Sequence, residues 1–325
     1  ILQKKQDESE AAKTCITQRQ GFATPEVLQK ILNGGDEETQ YYKVNQSDLY
    51  DGEEFYIRIT GTGNSKIPDN SVQKILDKIK VQGINLGIIC NVNQGVVTGA
   101  DKVSKKHIEK YEIKANVGDG IFVLSDNEIE KLNLTAKEKE ILKPWFKNSD
   151  IFRWGTSSLT NEKLIYADKR LNNLKGNKVK EHLQKFKRIL DDSTVNSPYL
   201  HRPRNISFDS NKIVAPQRSP RNTFGYNEIP WYASADVYFI TEKNKTILLK
   251  YVLALLNSKP YYLWLYYRGK RKGEMLELYQ KPLSEIPIKK IPIDEQQPFI
   301  DLVDKILAIT KDEDYLENPG KQAQV

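Results

Sequence analysis

The apolar runs in this chain are short and end in glycine, proline or asparagine, so they can build only short strands and helices in irregular order. Six segments carry the pattern. Gln94-Gly95-Val96-Val97-Thr98-Gly99-Ala100-Asp101-Lys102 is followed by Leu142-Lys143-Pro144-Trp145-Phe146-Lys147-Asn148-Ser149-Asp150-Ile151. His201-Arg202-Pro203-Arg204 then leads to Lys212-Ile213-Val214-Ala215-Pro216-Gln217-Arg218. Leu255-Leu256-Asn257-Ser258 and Leu283-Ser284-Glu285-Ile286-Pro287-Ile288 close the series. No internal repeat and no strand–helix alternation of the βαβ kind is present, so the expected class is α+β.

The local signals give the expected elements. Pro25 to Leu32 reads as a short helix with Thr24 as N-cap and proline in the first turn. Glu54 to Thr60 reads as a strand, Val72 to Val81 has a helical period, and Leu86 to Val92 reads as a strand. Glu128 to Leu132 and Ala136 to Pro144 read as helices, the second stopped by its proline. Leu164 to Tyr166, Ile213 to Ala215 and Val237 to Ile240 read as strands, and Lys178 to Leu190 as an amphipathic helix. Ile247 to Tyr267 is the most apolar stretch. Lys250, Asn257, Lys259 and Pro260 interrupt it, which excludes a membrane span and indicates a buried helix pair, with Ser258 capping the second helix. Pro298 to Thr310 reads as a closing helix.

At 325 residues, with 38% hydrophobic and 29% charged residues, the composition is that of a globular protein long enough for two domains. Cys15 and Cys90 are too few for a disulfide framework, and His107, His182 and His201 stand too far apart for metal spacing. A reducing, cytoplasmic setting is expected. The net charge of +7 is uneven. Residues 1–60 hold seven Lys/Arg against eleven Asp/Glu, and residues 151–225 hold fifteen against six. A positive stretch beside an acidic remainder is either a polyanion-binding face or a solvated lysine-rich surface.

The candidate contact residues fall in four places. Gly95 to Gly99 needs glycine for a tight turn or a close backbone approach, and it either shapes a corner or presents Thr98, Asp101 and Lys102 to DNA. Trp145 and Trp154 beside Lys147 and Arg153 are core aromatics or base-stacking ones, and Arg153 is the candidate for direct contact. Arg202, Arg204, Gln217, Arg218, Arg221 and Asn222 belong to proline-stiffened loops; arginine can fork guanine, and glutamine or asparagine can pair with adenine. Salt bridges within the fold are the competing use of these arginines. Arg268, Lys270, Arg271 and Lys272 form a basic, glycine-flanked loop suited to phosphates. Asn196-Ser197-Pro198-Tyr199, Gly61-Thr62-Gly63-Asn64 and the Asp101…Glu112-Ile113-Lys114 triplet lack the context of a methyltransferase motif, a cofactor loop or a nuclease centre.

Taken together and in order, these phrases resemble the TaqI-like C-terminal specificity domain, from about Leu76 to Ile291. That family is the target-recognition module of adenine-specific DNA methyltransferases and of type IIG restriction-modification enzymes. The resemblance implies a division into 1–74 as the end of a methyltransferase domain and connector, 75–292 as the recognition domain, and 293–325 as a C-terminal helix and tail. Ile1 to Lys5 fits the apolar strand that closes the methyltransferase domain, and Met275 is the only methionine, so a preceding catalytic half is expected elsewhere. The implied partners are double-stranded DNA and that methyltransferase domain, with no membrane. No cofactor and no catalytic residue are expected in this chain. S-adenosylmethionine belongs to the parent enzyme, with magnesium if a nuclease is fused. The other readings are a catalytic fragment that binds a flipped base through Asn196 and Tyr199, or an RNA- or protein-interaction module.

Overall fold

A computed structural model describes residues 11–45, 50–51, 56–57, 70–167, 171, 178–193, 200, 208–243, 246–312 and 314–325. The segments holding Asn196 to Tyr199, His201 to Arg204 and Gly61 to Asn64 lie outside the described residues. The chain divides into two units, Ile1–Lys74 and Ile75–Val325.

In the first unit the strands Ala12–Thr17 and Thr39–Val44 pair antiparallel around the helix Pro25–Leu32. Thr24 caps that helix by accepting the Val27 N–H. Asp36 is buried and accepts from Arg19 and from the Thr39 hydroxyl, and these bonds outweigh its burial and hold its pKa down. Within Glu54 to Thr60 only Tyr56–Ile57 is described, paired with Tyr50–Asp51.

The second unit is built on two four-stranded sheets. One runs Tyr232–Ala233, Leu142–Phe146, Glu162–Ile165, Val123–Ser125; the other runs Gly225–Asn227, Lys212–Pro216, Val237–Glu242, Cys90–Gln94. Side chains alternate across a strand with a period of two, and here both faces are buried. Ile213, Ala215, Tyr238 and Ile240 enter a core shared with the helices Leu249–Leu256, Lys259–Tyr267 and Ile293–Thr310. Val214, Val237 and Phe239 enter the core that contains the other sheet. The helix from Ile293 is therefore part of this unit, with Ile300, Val303 and Leu307 packed in its core. No helix among the described residues is long and apolar enough to cross a membrane.

Several expected elements differ in detail. Leu86–Ile89 is a turn of helix, because Gly83–Asn85 pairs with Pro287–Lys289 and the strand starts only at Cys90. The second short helix ends at Lys139, and Pro144 lies in a strand. Its missing N–H does no harm there, since the strand Tyr232–Ala233 pairs only from Trp145 onward. Lys178 to Leu190 is two helices, Lys178–Lys185 and Lys187–Ser193, separated at Phe186, whose N–H bonds Leu183. The closing helix begins at Ile293 with Pro298 inside it. Buried Gln296 anchors its first turns to Thr246, Leu248 and Ile291.

Lys212 is fully buried and donates to the carbonyls of Ser210 (2.8 Å) and Ile229 (2.7 Å). Burial pulls its pKa down to about 8, with Asp209 acting the other way. The unfolded chain therefore binds more protons than the folded one between about pH 8 and about 10.4, and this residue's contribution to stability rises with pH across that window. Cys90, pushed up to about 12 by burial, acts in the opposite direction, so the difference between two chains is the readout. Lys212→Met should remove the Lys212 contribution, so its melting temperature should fall more steeply, or rise less, with pH than that of the wild type. Parallel pH profiles would mean that Lys212 titrates alike folded and unfolded.

Candidate nucleic-acid interface

The two glycines of Gly95 to Gly99 meet different needs. A Cβ on Gly95 would lie 2.2 Å from the Ser234 carbonyl oxygen, because Gly95 and Val96 donate to Val237 and Ala233. Gly99 has φ +89°, in the left-handed region that glycine tolerates. The corner is thus stitched to the turn at residues 233–237. Thr98 is buried and its hydroxyl donates to the Asp101 carboxylate, while the Asp101 carbonyl accepts the N–H groups of Ile121, Phe122 and Val123.

Two adjoining cavities, about 740 and 660 Å³, share Asp101, Trp145, Lys147, Ser234 and Asp236 and make one open groove. Into it come the glycine corner, Lys147 to Ser149, and Pro216 with Arg218 to Pro220. Sequence segments far apart in the chain are thereby gathered on one surface. Burial pushes the Asp101 pKa up, opposed by the Thr98 hydroxyl and reinforced by Asp236 and Glu162. Burial also works against ionised Glu162, but Lys102 at 2.5 Å and Lys147 at 2.9 Å outweigh it and lower its pKa.

The loop after Pro216 is held from behind. Gln217 is fixed by its backbone, which donates to Asp236 and accepts from Leu278, and its side chain is half-buried. Asn257 is fully buried and pairs with both backbone groups of Phe224, accepting its N–H (3.1 Å) and donating to its carbonyl (2.8 Å). Asn222 is buried, and its amide donates to the carbonyls of Leu256 and Ser258. The Leu256 carbonyl ends the helix Leu249–Leu256, and the Ser258 carbonyl, which also accepts the Tyr262 N–H, opens the next helix. Asn222, expected at a base edge, is thus buried with its amide hydrogens given to backbone carbonyls. Ser258 stands at the cap position of the next helix, but its hydroxyl donates backward to Leu255.

The basic loop forms a hairpin, Arg271–Lys272 with Met275–Glu277, whose second strand pairs with Arg218–Ser219. The groove rim and the basic loop are one three-stranded sheet. Glu277 is buried between Arg218 (3.2 Å) and Lys270 (3.3 Å), and these two cations outweigh its burial and hold it ionised. Arg218 also donates to the Tyr279 hydroxyl at 3.1 Å yet keeps 42% of its side-chain surface exposed. Lys270 lies over the Tyr279 ring and Arg271 over Tyr266 at 4.0 Å, while Lys272 is exposed; Arg268, half-buried, precedes them at the helix end.

A family model described as the TaqI-like C-terminal specificity domain matches residues 106–288, more than half of the chain. The chain belongs to that family. The type II methyltransferase M.HindII of Haemophilus influenzae is 27% identical over 275 residues, covering 74% of this chain and 48% of that protein. M.HincII, also of Haemophilus influenzae, is 39% identical over 61 residues, 18% of this chain and 12% of that one. The chain thus spans about half the length of its longer-matching curated relative. The type IIL restriction-modification enzyme MmeI, solved in complex with DNA, shares the fold with TM-score 0.51 and 12% identity over 88% of this chain and 33% of that one.

Thr98, Asp101 and Lys102, just ahead of the matched residues, line the groove; Arg218 stands on its rim, and Arg268, Lys270, Arg271 and Lys272 belong to the adjoining hairpin region. Arg153 and Arg221 line neither cavity. Trp145 and Trp154 are both core. Sequence reasoning missed Asn148 and the Ser234 to Asp236 turn. Asn148 lines the groove, and its side-chain oxygen is buried without a partner among the described residues. The signal for the turn was its Ser-x-Asp spacing, in which the Ser234 hydroxyl donates to Asp236.

Proposed function

We propose that this chain is the DNA target-recognition part of an adenine-specific methyltransferase in a restriction-modification system. The observation that carries the reading is the groove at the edge of the family-matched region, lined from within that region by Trp145, Lys147, Arg218 and Asp236, whose rim strand Arg218–Ser219 is hydrogen-bonded to a basic hairpin. Duplex DNA lies along this surface. Arg218 and Gln217 read base edges in the major groove. Lys270, Arg271 and Lys272 contact phosphates and fix the register of the readers. The methyltransferase half, with S-adenosylmethionine as methyl donor, is the partner that completes the enzyme; magnesium enters only with a fused nuclease.

Binding of a mixed-sequence duplex should be weak, and it should fall steeply from low to moderate salt. The triple variant Lys270→Ala, Arg271→Ala, Lys272→Ala should weaken binding on every sequence alike. Each lost phosphate contact should reduce the salt slope by about one. Salt-independent affinity, or tighter binding of duplex RNA than of duplex DNA, would sink the reading. A changed recognition sequence in the triple variant would show that the hairpin reads bases.

A further inference from the structure

The segments Arg153-Trp154 and Arg221 to Tyr226 run side by side. Trp154 donates its N–H to Phe224 and accepts from Tyr226, and it bridges Gly225 in parallel. Arg153 and Asn222 converge on the same helix end, Arg153 donating to the Asn257 carbonyl at 2.7 Å and Asn222 to the carbonyls on either side. This brings the guanidinium of Arg153 and that of the preceding Arg221 into one neighbourhood. Neither has a carboxylate partner among the described residues. Arg153 has only the Asn257 carbonyl and the Trp154 ring, 5.2 Å away, while exposed Arg221 has backbone bonds alone.

A second observation falls on the residue under Arg153. Trp154 is 6% exposed, and its indole N–H is buried with no acceptor among the described residues. Its backbone has φ +81°, the left-handed region in which a bulky residue is strained. Strain of this kind persists where the surroundings enforce it and clusters at functional sites. Burial lowers the pKa of Arg153, and the charge of Arg221 lowers it further, with Tyr315 opposing. Two like charges held together with no counter-charge are expected where an anion arrives from outside.

We propose that Arg153 and Arg221 form an anion site outside the groove that takes a phosphodiester of the bound duplex. The site rests on the reading of this chain as a DNA binder, and it gives Arg221 a different task from Arg218. Arg218 lines the groove with its own carboxylate partner; Arg221 lines neither cavity, and its charge acts on Arg153. The phosphate would tie the loop at residues 217–224 to the DNA backbone on the side away from the bases.

Two arms test it. In the first, inorganic phosphate is titrated against the chain without DNA. The melting temperature of the wild type should rise more than that of Arg221→Ala, whose exposed side chain leaves the fold intact. Equal rises would overturn the site. In the second, duplexes carrying a neutral methylphosphonate at successive positions are bound to both chains. One position should weaken the wild type by about tenfold, the scale of a charged hydrogen bond, and leave Arg221→Ala unchanged. Arg153→Gln, which keeps a donor for the Asn257 carbonyl, should lose sensitivity at the same position. Loss at the same positions in all three chains would overturn the proposal, as would a loss in Arg221→Ala confined to the cognate sequence. A phosphate difference with no DNA binding at all would leave the anion site standing and remove the DNA reading.

Discussion

Arg218→Ala should collapse discrimination between cognate and scrambled duplexes while nonspecific binding falls much less. Arg218 is fixed at the groove rim by Glu277 and by the Tyr279 hydroxyl, yet part of its guanidinium still faces solvent. Tyr279 and then Glu277 hold its pKa above the usual arginine value, so the charge is permanent. A side chain held in this way loses little freedom on forking the O6 and N7 of a guanine, and its removal should cost about 1–3 kcal/mol at the cognate site. Lys270 still faces Glu277 when Arg218 is gone, so no buried carboxylate is left without a cation and the fold should survive. Methylation mapping with the parent enzyme supplies the cognate sequence, and affinity for cognate and scrambled duplexes is the measurement. Equal losses on both would make Arg218 a backbone contact. A lower melting temperature with unchanged binding would make it scaffold.

Local chemistry made the framework legible in the sequence. Thr24-Pro25, the β-branched run at Ile213 to Ala215 and the interrupted apolar stretch at Ile247 to Tyr267 each specify an element through near neighbours. Pro144 misled because the cost of a proline depends on whether a neighbouring strand needs its N–H, and that neighbour, Tyr232–Ala233, is far away in sequence. The same limit applies at the site. Gln217, Arg218, Arg221 and Asn222 lie within six positions and carry similar pairing chemistry. Their tasks separate only through distant partners: Leu256 and Ser258 for Asn222, Glu277 and Tyr279 for Arg218, the Arg153 neighbourhood for Arg221. Sequence spacing places a loop well; it does not say which side of the loop each residue faces.

Asn257→Ala should be among the most damaging single changes in the domain, although Asn257 touches no groove. Its amide makes the pairing that a neighbouring strand would make, accepting the Phe224 N–H and donating to the Phe224 carbonyl inside the core. The carbonyl keeps a second donor in Trp154, but the N–H has no other partner among the described residues. One orphaned buried N–H, a lost hydrogen bond and a small void should together cost about 2–4 kcal/mol. The loop at residues 217–224 should loosen as well, so affinity should fall on cognate and scrambled duplexes together. Asn257→Asp separates the hydrogen bond from the void. Its carboxylate can still accept from Phe224, but when ionised it puts a buried charge against the Phe224 carbonyl and has no proton to donate. Burial should raise its folded pKa above the unfolded value of about 3.9, so the damage is fully present at neutral pH and is relieved as pH falls through the folded pKa. Denaturant unfolding of both variants across pH measures this. An Asn257→Asp variant as stable as the wild type at neutral pH, or one that gains nothing on acidification, would mean that packing rather than this amide holds the loop to the helix.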